Sequence, residues 1–527
     1  MEHTNLFESS ATVAGITRPV QRARGGRRGL VVAGVICLGL AATRPASAEN
    51  LVPNPGLPSL GLSPGDPQQR SVLPSSPFGR PPNDSHDWVL DFHGYVLLPF
   101  NSAWHKREQT NPGQSSTVIH NPPLIPQDLR TFNYVGVVPT PWVQLDFTYG
   151  NSVVSATAIL ASRTLNDASA IYNPVDQLGV NDAYLDVNLS APLKVPLELK
   201  VGAFTGRYGA MGQWDAGRYG TPLIARTNSI GEQVNAAFKI GKTTLIVEQG
   251  IGGQLGRPPS NVVPEGWNDF AYTNVGASFV NHVHVGVGYD DFATLGLHYL
   301  TAWSQDDQAS HDLIPDGRIT VLGADARLTT GRFGHLYVGA AHTKATNADT
   351  VSGVIEVLNA RGGPELIKEY LGPASGGDGS LTTLGGQYDL SLSSLVYGNR
   401  FKGNSPDVMV SLFGVSASVS SKDKAYDGVT KLKAGAEVTY GMLSWLGLSA
   451  RFDRVAPNTD KGTQSFTIIS PRILLHTDWY SRDEFVIQYS RFDYGKNVVV
   501  NTGFPPVPDP TANPDRDVVS LSGTFWW

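Results

Sequence analysis

From Trp88 onward, apolar and polar residues alternate at period two in run after run. In VQLDFTYG, Val143, Leu145, Phe147 and Tyr149 fall on one face, and Gln144, Asp146 and Thr148 on the other. In DAYLDVNLS, Ala183, Leu185, Val187 and Leu189 oppose Tyr184, Asp186 and Asn188. LELKVGAF sets Leu197, Leu199, Val201 and Ala203 against Glu198, Lys200 and Gly202. KLKAGAEVTYGM and LGLSARFD repeat the pattern, with Lys433, Glu437, Arg451 and Asp453 on the polar face. This period belongs to β-strands whose two faces meet different surroundings. It predicts strands over 88–100, 141–150, 152–163, 181–191, 196–207, 231–241, 242–254, 272–290, 292–304, 317–330, 333–345, 381–393, 406–419, 431–443, 445–457, 464–477, 482–495 and 517–527. That is eighteen strands. The stretches 270–290 and 393–406 are ambiguous and leave sixteen as the runner-up.

Alternation alone fits a sandwich as well as a barrel. Two further features favour a closed barrel in a membrane. The strands run to about 10–14 residues, against a usual mode of about 5–6, and suit a tilted membrane crossing. Very short connections (Gly150-Asn151, Gly241-Lys242, Asp290-Asp291, Ser444) alternate with long ones (101–140, 208–230, 346–380, 496–516). Short periplasmic turns on one side and long extracellular loops on the other are the pattern of outer-membrane barrels. The fold class expected is therefore all-β, a transmembrane antiparallel β-barrel over 88–527.

Composition agrees. Only 16% of the 527 residues are charged, with 57 Gly and 36 Pro, against about 25% charged in a typical soluble protein. Mean hydropathy is nevertheless only -0.14. A barrel whose strands are each half apolar has this profile. The stretch LVVAGVICLGLAA (30–42) follows Arg22, Arg24, Arg27 and Arg28 and precedes Ala46-Ser47-Ala48. It reads as a secretory signal peptide over 1–48, too short for a spanning helix. Cys37 lies inside it, so cleavage leaves no disulfide. The precursor carries a net charge of -6 and its leader six Arg against two Glu. The mature chain is then about -10, which disfavours a nucleic-acid partner. Residues 49–87 hold nine prolines in 39 positions and are expected to form an extended, flexible segment.

The chain ends VVSLSGTFWW. Val519, Leu521, Gly523, Phe525 and Trp527 form an apolar face that runs to the last residue. This strand resembles the C-terminal strand of Gram-negative outer-membrane porins, which ends on an aromatic preceded by apolar residues at alternate positions. Trp replaces the family's usual Phe, and Gly523 takes an apolar position. The resemblance implies pairing of the last strand with the first, insertion by the barrel-assembly machinery, and an outer-membrane location.

Candidate chemistry lies on the polar faces and in the third long connection. Asp146, Asp186, Glu198, Lys200, Asp325, Arg327, Glu437, Arg451 and Asp453 are expected on the lumen wall, since charges facing lipid cost about 2–4 kcal/mol at the midplane. The connection GRYGAMGQWDAGRYGTPLIART (206–227) repeats Gly-Arg-Tyr-Gly. By position it resembles the porin loop that folds inward, which implies a pore constriction with Arg207, Trp214, Asp215, Arg218, Tyr219 and Arg226. His282 and His284 share a face but lack an evident third metal ligand. Asp306-Asp307 and 376–380 are weak candidates for a divalent ion. The G-x-S-x-G at Gly61–Gly65 is broken by Pro64 and lacks the strand and helix of a nucleophile elbow. No catalytic residues, metal or cofactor are expected.

The resulting expectation is a porin: a water-filled channel for passive diffusion of small hydrophilic solutes such as ions or sugars. The alternatives are an outer-membrane barrel enzyme of lipase or protease type, and a non-conducting structural or adhesive barrel. A gated receptor would need a globular plug, for which 49–87 is too short. Lipid and solute are the expected partners. The sequence leaves open the solute, the sign of ion preference and assembly as a homotrimer.

Overall fold

The computed structural model describes residues 88–104, 142–162, 179–209, 224–255, 277–305, 316–348, 377–397, 406–460, 465–477, 483–493 and 516–526, apart from single positions and 461–464, together with Val351, 354–357, Leu371, 500–502 and 507–509. The expected leader 1–48 and proline-rich segment 49–87 lie outside it. In chain order the strands are β1 Val89–Trp104, β2 Trp142–Gly150, β3 Val154–Ser162, β4 Gly179–Asn188, β5 Leu197–Tyr208, β6 Ala225–Ile240, β7 Thr243–Leu255, β8 Ala277–Tyr289, β9 Ala293–Gln305, β10 Arg318–Thr329 and β11 His335–Thr346. There follow β12 Ile355–Val357, β13 Gly379–Ser391, β14 Asp407–Ser421, β15 Thr430–Leu443, β16 Leu446–Ala456, β17 Phe466–Leu475, β18 Asp483–Asp493, β19 Val500–Thr502, β20 Val507–Asp509 and β21 Arg516–Trp526.

The pairings form a ring. β1 pairs with β2 on one side and with β21 on the other. β21 also pairs with β18. Between them every antiparallel pairing joins successive strands, with β13 following β11. Eighteen strands take part. β12 docks separately on the start of β6, and β19 pairs only with β20. Following the register once round the ring gives a stagger of roughly two dozen residues, hence a strand tilt of about 40°, within the range of closed barrels.

The faces are inverted relative to a soluble protein. Ile230, Val180, Leu322 and Leu384 are 62–66% exposed, while Lys433, Arg451, Asp453 and Gln488 are at most 1% exposed. The alternation is strict: in β11 every odd residue from His335 to Ala345 is buried and the even ones face out. An apolar belt of this extent has no favourable place in water. Lipid accepts it, and the ring leaves no unpaired strand edge in the hydrocarbon. No helix among the described residues is long and apolar enough to cross a membrane.

Aromatics mark one rim. Trp88, Tyr149, Tyr289, Phe292, Phe333, Trp445, Phe485 and Phe525 are all exposed at the strand ends joined by the short turns. Trp88 and Tyr149 stack with centroids 5.0 Å apart. Such a girdle suits the membrane interface. Phe525 of the terminal strand belongs to it, opposite Val96 of β1 and Asp483 of β18.

Several boundaries differ from the sequence expectation. β6 begins at Ala225 rather than 231, because its ladder with β5 continues up to Tyr208↔Ala225. The third long connection is therefore 209–224. The ambiguous stretch 393–406 holds a short helix, Leu392–Tyr397, instead of further strand, so the count stays at eighteen. Pro471, lacking an N–H, interrupts the β17–β18 ladder between Ile469↔Arg491 and Arg472↔Gln488 without shifting its register.

The inverted burial makes a direct prediction. Leu384→Arg, on the outward face of β13, should destabilise the barrel in a lipid-based denaturant titration by about 2–4 kcal/mol. A change within about 0.5 kcal/mol, as for an ordinary water-exposed position, would show that this face does not meet lipid.

Candidate functional site: the barrel interior

Because side chains alternate, each strand sends every second residue to the inner face. Four regions differ there. On β2, β4 and β5 the inner face is acidic: Asp146, Asp182, Asp186 and Glu198 are all buried. Lys200 stands among them, 4.0 Å from Asp186 Oδ1 and 4.4 Å from the centroid of the Tyr184 ring. The acids hold its charge and the ring face adds a cation–π contact.

Further round the ring, β14 to β18 carry a hydrogen-bonded ladder. The Arg451 guanidinium donates to both Asp453 oxygens, at 2.7 Å each, and lies over the Phe413 ring at 4.6 Å. Gly435 makes room for that ring, since a Cβ there would lie 2.6 Å from Phe413 Cζ. Arg472 donates to Glu437 Oε1 at 2.8 Å and to Gln488 Oε1 at 2.6 Å. Ser449 also donates to Glu437, at 3.1 Å. Burying an ion costs several kcal/mol unless it is paired and hydrogen-bonded. Arg451 and Arg472 each have a carboxylate in contact, so these charges neutralise one another in pairs.

The third region is a histidine–carboxylate group on β7 to β10. His284 Nδ1 lies 3.0 Å from His298 Nδ1, and the two rings stack at 4.5 Å. His298 Nε2 bonds closely to Asp325 Oδ1. His282 Nε2 stands 3.4 Å from Glu248 Oε1, to which Tyr208 Oη donates at 3.0 Å.

The fourth region is apolar and lies toward the long connections. Val280, Leu300, Ala302, Ile319, Val321 and Leu381, inner-face residues of β8 to β10 and β13, are at most 2% exposed and cluster together. Their cover comes from the connection after β11. Ala348, Val351, Val354, Ile355 and Leu371 join the same cluster at 0–1% exposure. Within this connection β12 pairs antiparallel with Ala225–Thr227 of β6, and Asn228 N–H donates to Val354 O at 3.0 Å. The segment is thus a strap from β11 to β6, across the inner face of the four strands between them. At its far root, Asp378 accepts from Asn347 N–H at 2.5 Å and pairs with Lys422. Burial alone would raise the Asp378 carboxyl; the Lys422 and Asn347 bonds outweigh it and hold it below the usual carboxylate range.

The wall residues named from sequence occupy inner-face positions. Asp146, Asp186, Glu198, Glu437, Arg451 and Asp453 are buried. Lys200, Asp325 and Arg327 are partly exposed. The constriction residues divide differently. Trp214, Asp215, Arg218 and Tyr219 lie outside the described residues. Arg207 and Arg226 belong to strands rather than to a loop: they are cross-strand partners near the ends of β5 and β6, one residue out of step with the buried Tyr208 and Thr227. The connection 346–380, read from sequence as an external loop, instead sends its described apolar residues inward.

Sequence reasoning missed the strap and the joining of Glu248, His298 and Asp325 to the histidine pair. Both left traces. Leu300 and Ala302 put apolar residues at the inner parity of β9, as suits an inner face covered by protein. Val351, Val354 and Ile355 are apolar residues in a segment read as solvated loop. Among the described residues, no group of three or more His, Cys, Asp and Glu side chains is arranged to hold a metal ion.

No family model matches the chain, and no curated protein does. Solved structures do. OpdK of Pseudomonas aeruginosa, an outer membrane protein, aligns at 11% identity over 83% of this chain and 98% of its own, with a TM-score of 0.38. The outer membrane channel DcaP of Acinetobacter baumannii aligns at 11% identity over 84% and 97%, with a TM-score of 0.36. OmpT, an outer membrane protein of Vibrio cholerae, aligns at 10% identity over 84% and 98%, with a TM-score of 0.35. Scores this low carry no weight of their own. The ring of strands, the apolar exterior, the aromatic rim and the polar interior are what give this chain the fold of an outer-membrane β-barrel.

Proposed function

We propose that the barrel is a passive channel of the outer membrane for small hydrophilic solutes, with a preference for cations. The observation that carries the reading is the charge of the interior. Among the described buried residues, leaving out Asp517, which pairs with Arg491 at the outward parity, nine are Asp or Glu and four are Lys or Arg. In a narrow passage with low-dielectric walls, an excess of one sign raises the local concentration of the opposite ion. Arg451 and Arg472 are tied to carboxylates of their own wall, which leaves the acidic arc on β2, β4 and β5 to dominate.

In this reading the strap narrows the outer half of the passage. The connection 209–224, with Trp214, Asp215, Arg218 and Tyr219, is the second element that narrows it. The protein is taken as a conduit and not as a catalyst. Residues 1–48 serve as a cleaved leader and 49–87 as a periplasmic segment. The terminal strand is taken as the signal read by the barrel-assembly machinery. Homotrimer formation is consistent with this role and is not required by it.

Two measurements test the reading. Purified barrel in a planar bilayer should give discrete conductance steps, and in a KCl gradient at neutral pH its reversal potential should take the sign of K+ preference. Membrane-inserted barrel without conductance would overturn the channel, and Cl- preference would overturn the acidic-wall argument. Replacing 349–376 with a short Gly/Ser linker should raise the single-channel conductance. An unchanged conductance in a correctly inserted variant would show that the strap does not narrow the passage.

A further inference from the structure

The histidine–carboxylate group on β7 to β10 has an organisation that a merely wetted wall does not need. Three glycines make the space it occupies. Gly250 stands opposite His282, and a Cβ there would lie 2.4 Å from His282 Cε1. Gly296 stands opposite Asp325, and a Cβ there would lie 2.4 Å from Asp325 Oδ1 and 2.9 Å from His298 Nε2. A Cβ at Gly286 would lie 3.1 Å from His284 Nε2. Alanine at 250 or 296 would displace the ionisable side chains.

The group is also unsaturated. His282 is 1% exposed, and neither of its ring nitrogens has a hydrogen-bond partner. Its Nε2 faces Glu248 Oε1 at 3.4 Å, a contact that protonation of the ring turns into a charge-assisted bond. His284 and His298 stand with their Nδ1 atoms 3.0 Å apart, and His298 Nε2 bonds Asp325 on its far side, so a proton taken up by this pair lies beside a carboxylate. The carboxylates meet the passage, since the side chains of Glu248 and Asp325 are 22% and 16% exposed against 1% and 4% for His282 and His298. Since no three of these groups are arranged to hold a metal ion, the natural occupant is the proton.

We propose that this group is a proton-titrated selectivity element: it attracts small cationic solutes while its histidines are neutral and loses that attraction as they protonate. The inference rests on the channel reading and sharpens it. With neutral histidines the two carboxylates give the group a formal charge of -2, and each proton taken up adds one. Histidine is the side chain whose ordinary range, near pH 6.5, falls within the pH of natural waters and cell surroundings. Other charged or polar groups on the facing elements are Glu198, Lys200 and Tyr208 of β5, Gln233 and Asn235 of β6, Arg327 of β10 and His335 of β11. Lys200 and Arg327 are cationic at every relevant pH. They set a background that does not follow the histidines.

The test is the K+/Cl- permeability ratio from reversal potentials at pH 8.0, 6.5 and 5.0. For the wild-type barrel the ratio should fall about twofold or more between pH 8.0 and 5.0, and the histidine variants separate their part of that fall from any carried by other inner-face carboxylates such as Asp389 and Glu484. His284→Gln/His298→Gln should flatten the profile. Asp325→Asn should lower the ratio at pH 8.0. His476→Gln, at the rim below β17, should leave the wild-type profile in place. A wild-type ratio that is constant with pH overturns the inference whether or not any variant folds. So does a profile abolished by His476→Gln and kept by the double variant. A barrel that conducts nothing would overturn the channel reading, and this inference with it; one that conducts with pH-independent selectivity overturns this inference alone.

Discussion

Backbone hydrogen bonding in a medium without water is the constraint on which the rest of this structure depends. Each unpaired N–H or C=O in hydrocarbon costs several kcal/mol, so strands can cross only in a closed ring. The pairing of β21 with both β18 and β1 meets that demand. Once the ring exists, period-two alternation does the sorting. Residues at one parity meet lipid and must be apolar. Residues at the other parity meet the interior and are free to be charged. The inversion of the usual burial pattern follows from this one condition.

An interior free to carry charge still has to satisfy it. Arg451 pairs with Asp453 within β16, and Arg472 of β17 reaches across β16 to Glu437 of β15, through bonds of 2.7–2.8 Å. Glycine at selected inner positions opens room for bulky or ionisable neighbours: Gly435 for Phe413, Gly250 for His282, Gly296 for Asp325. The strap solves a different problem. Where the inner face is apolar it cannot stay wet without cost, and Val354, Ile355 and Leu371 cover it. The interior is therefore graded from a covered apolar zone near the long connections to polar walls below.

Strand positions were legible in the sequence because lipid enforces alternation at each crossing. Runs such as VQLDFTYG and LGLSARFD can be read at one parity only. The inward placement of Asp146, Glu437 and Arg451 follows from the same rule. What alternation does not encode is contact between distant segments. Nothing local in Val351–Ile355 names Ala225–Thr227 as its partner, and nothing in His282-Val283-His284 names Asp325. Those meetings depend on register and stagger summed over several strands. The start of β6 was missed for a related reason: Arg226 and Asn228 carry polar side chains at positions where a membrane strand would carry apolar ones, yet the ladder continues past them.

The central claim is that one parity of each strand faces lipid and the other a polar interior. Nitroxide scanning along β15 and β16 in liposomes tests it most directly. Collision with dissolved oxygen, which partitions into lipid, should peak at Leu432, Val438, Tyr440, Leu448 and Phe452, and fall at Lys433, Glu437, Thr439, Ser449 and Arg451, with a period of two residues. Equal oxygen accessibility at both parities, or strong accessibility to a water-soluble nickel chelate at Leu432 and Phe452, would contradict the account.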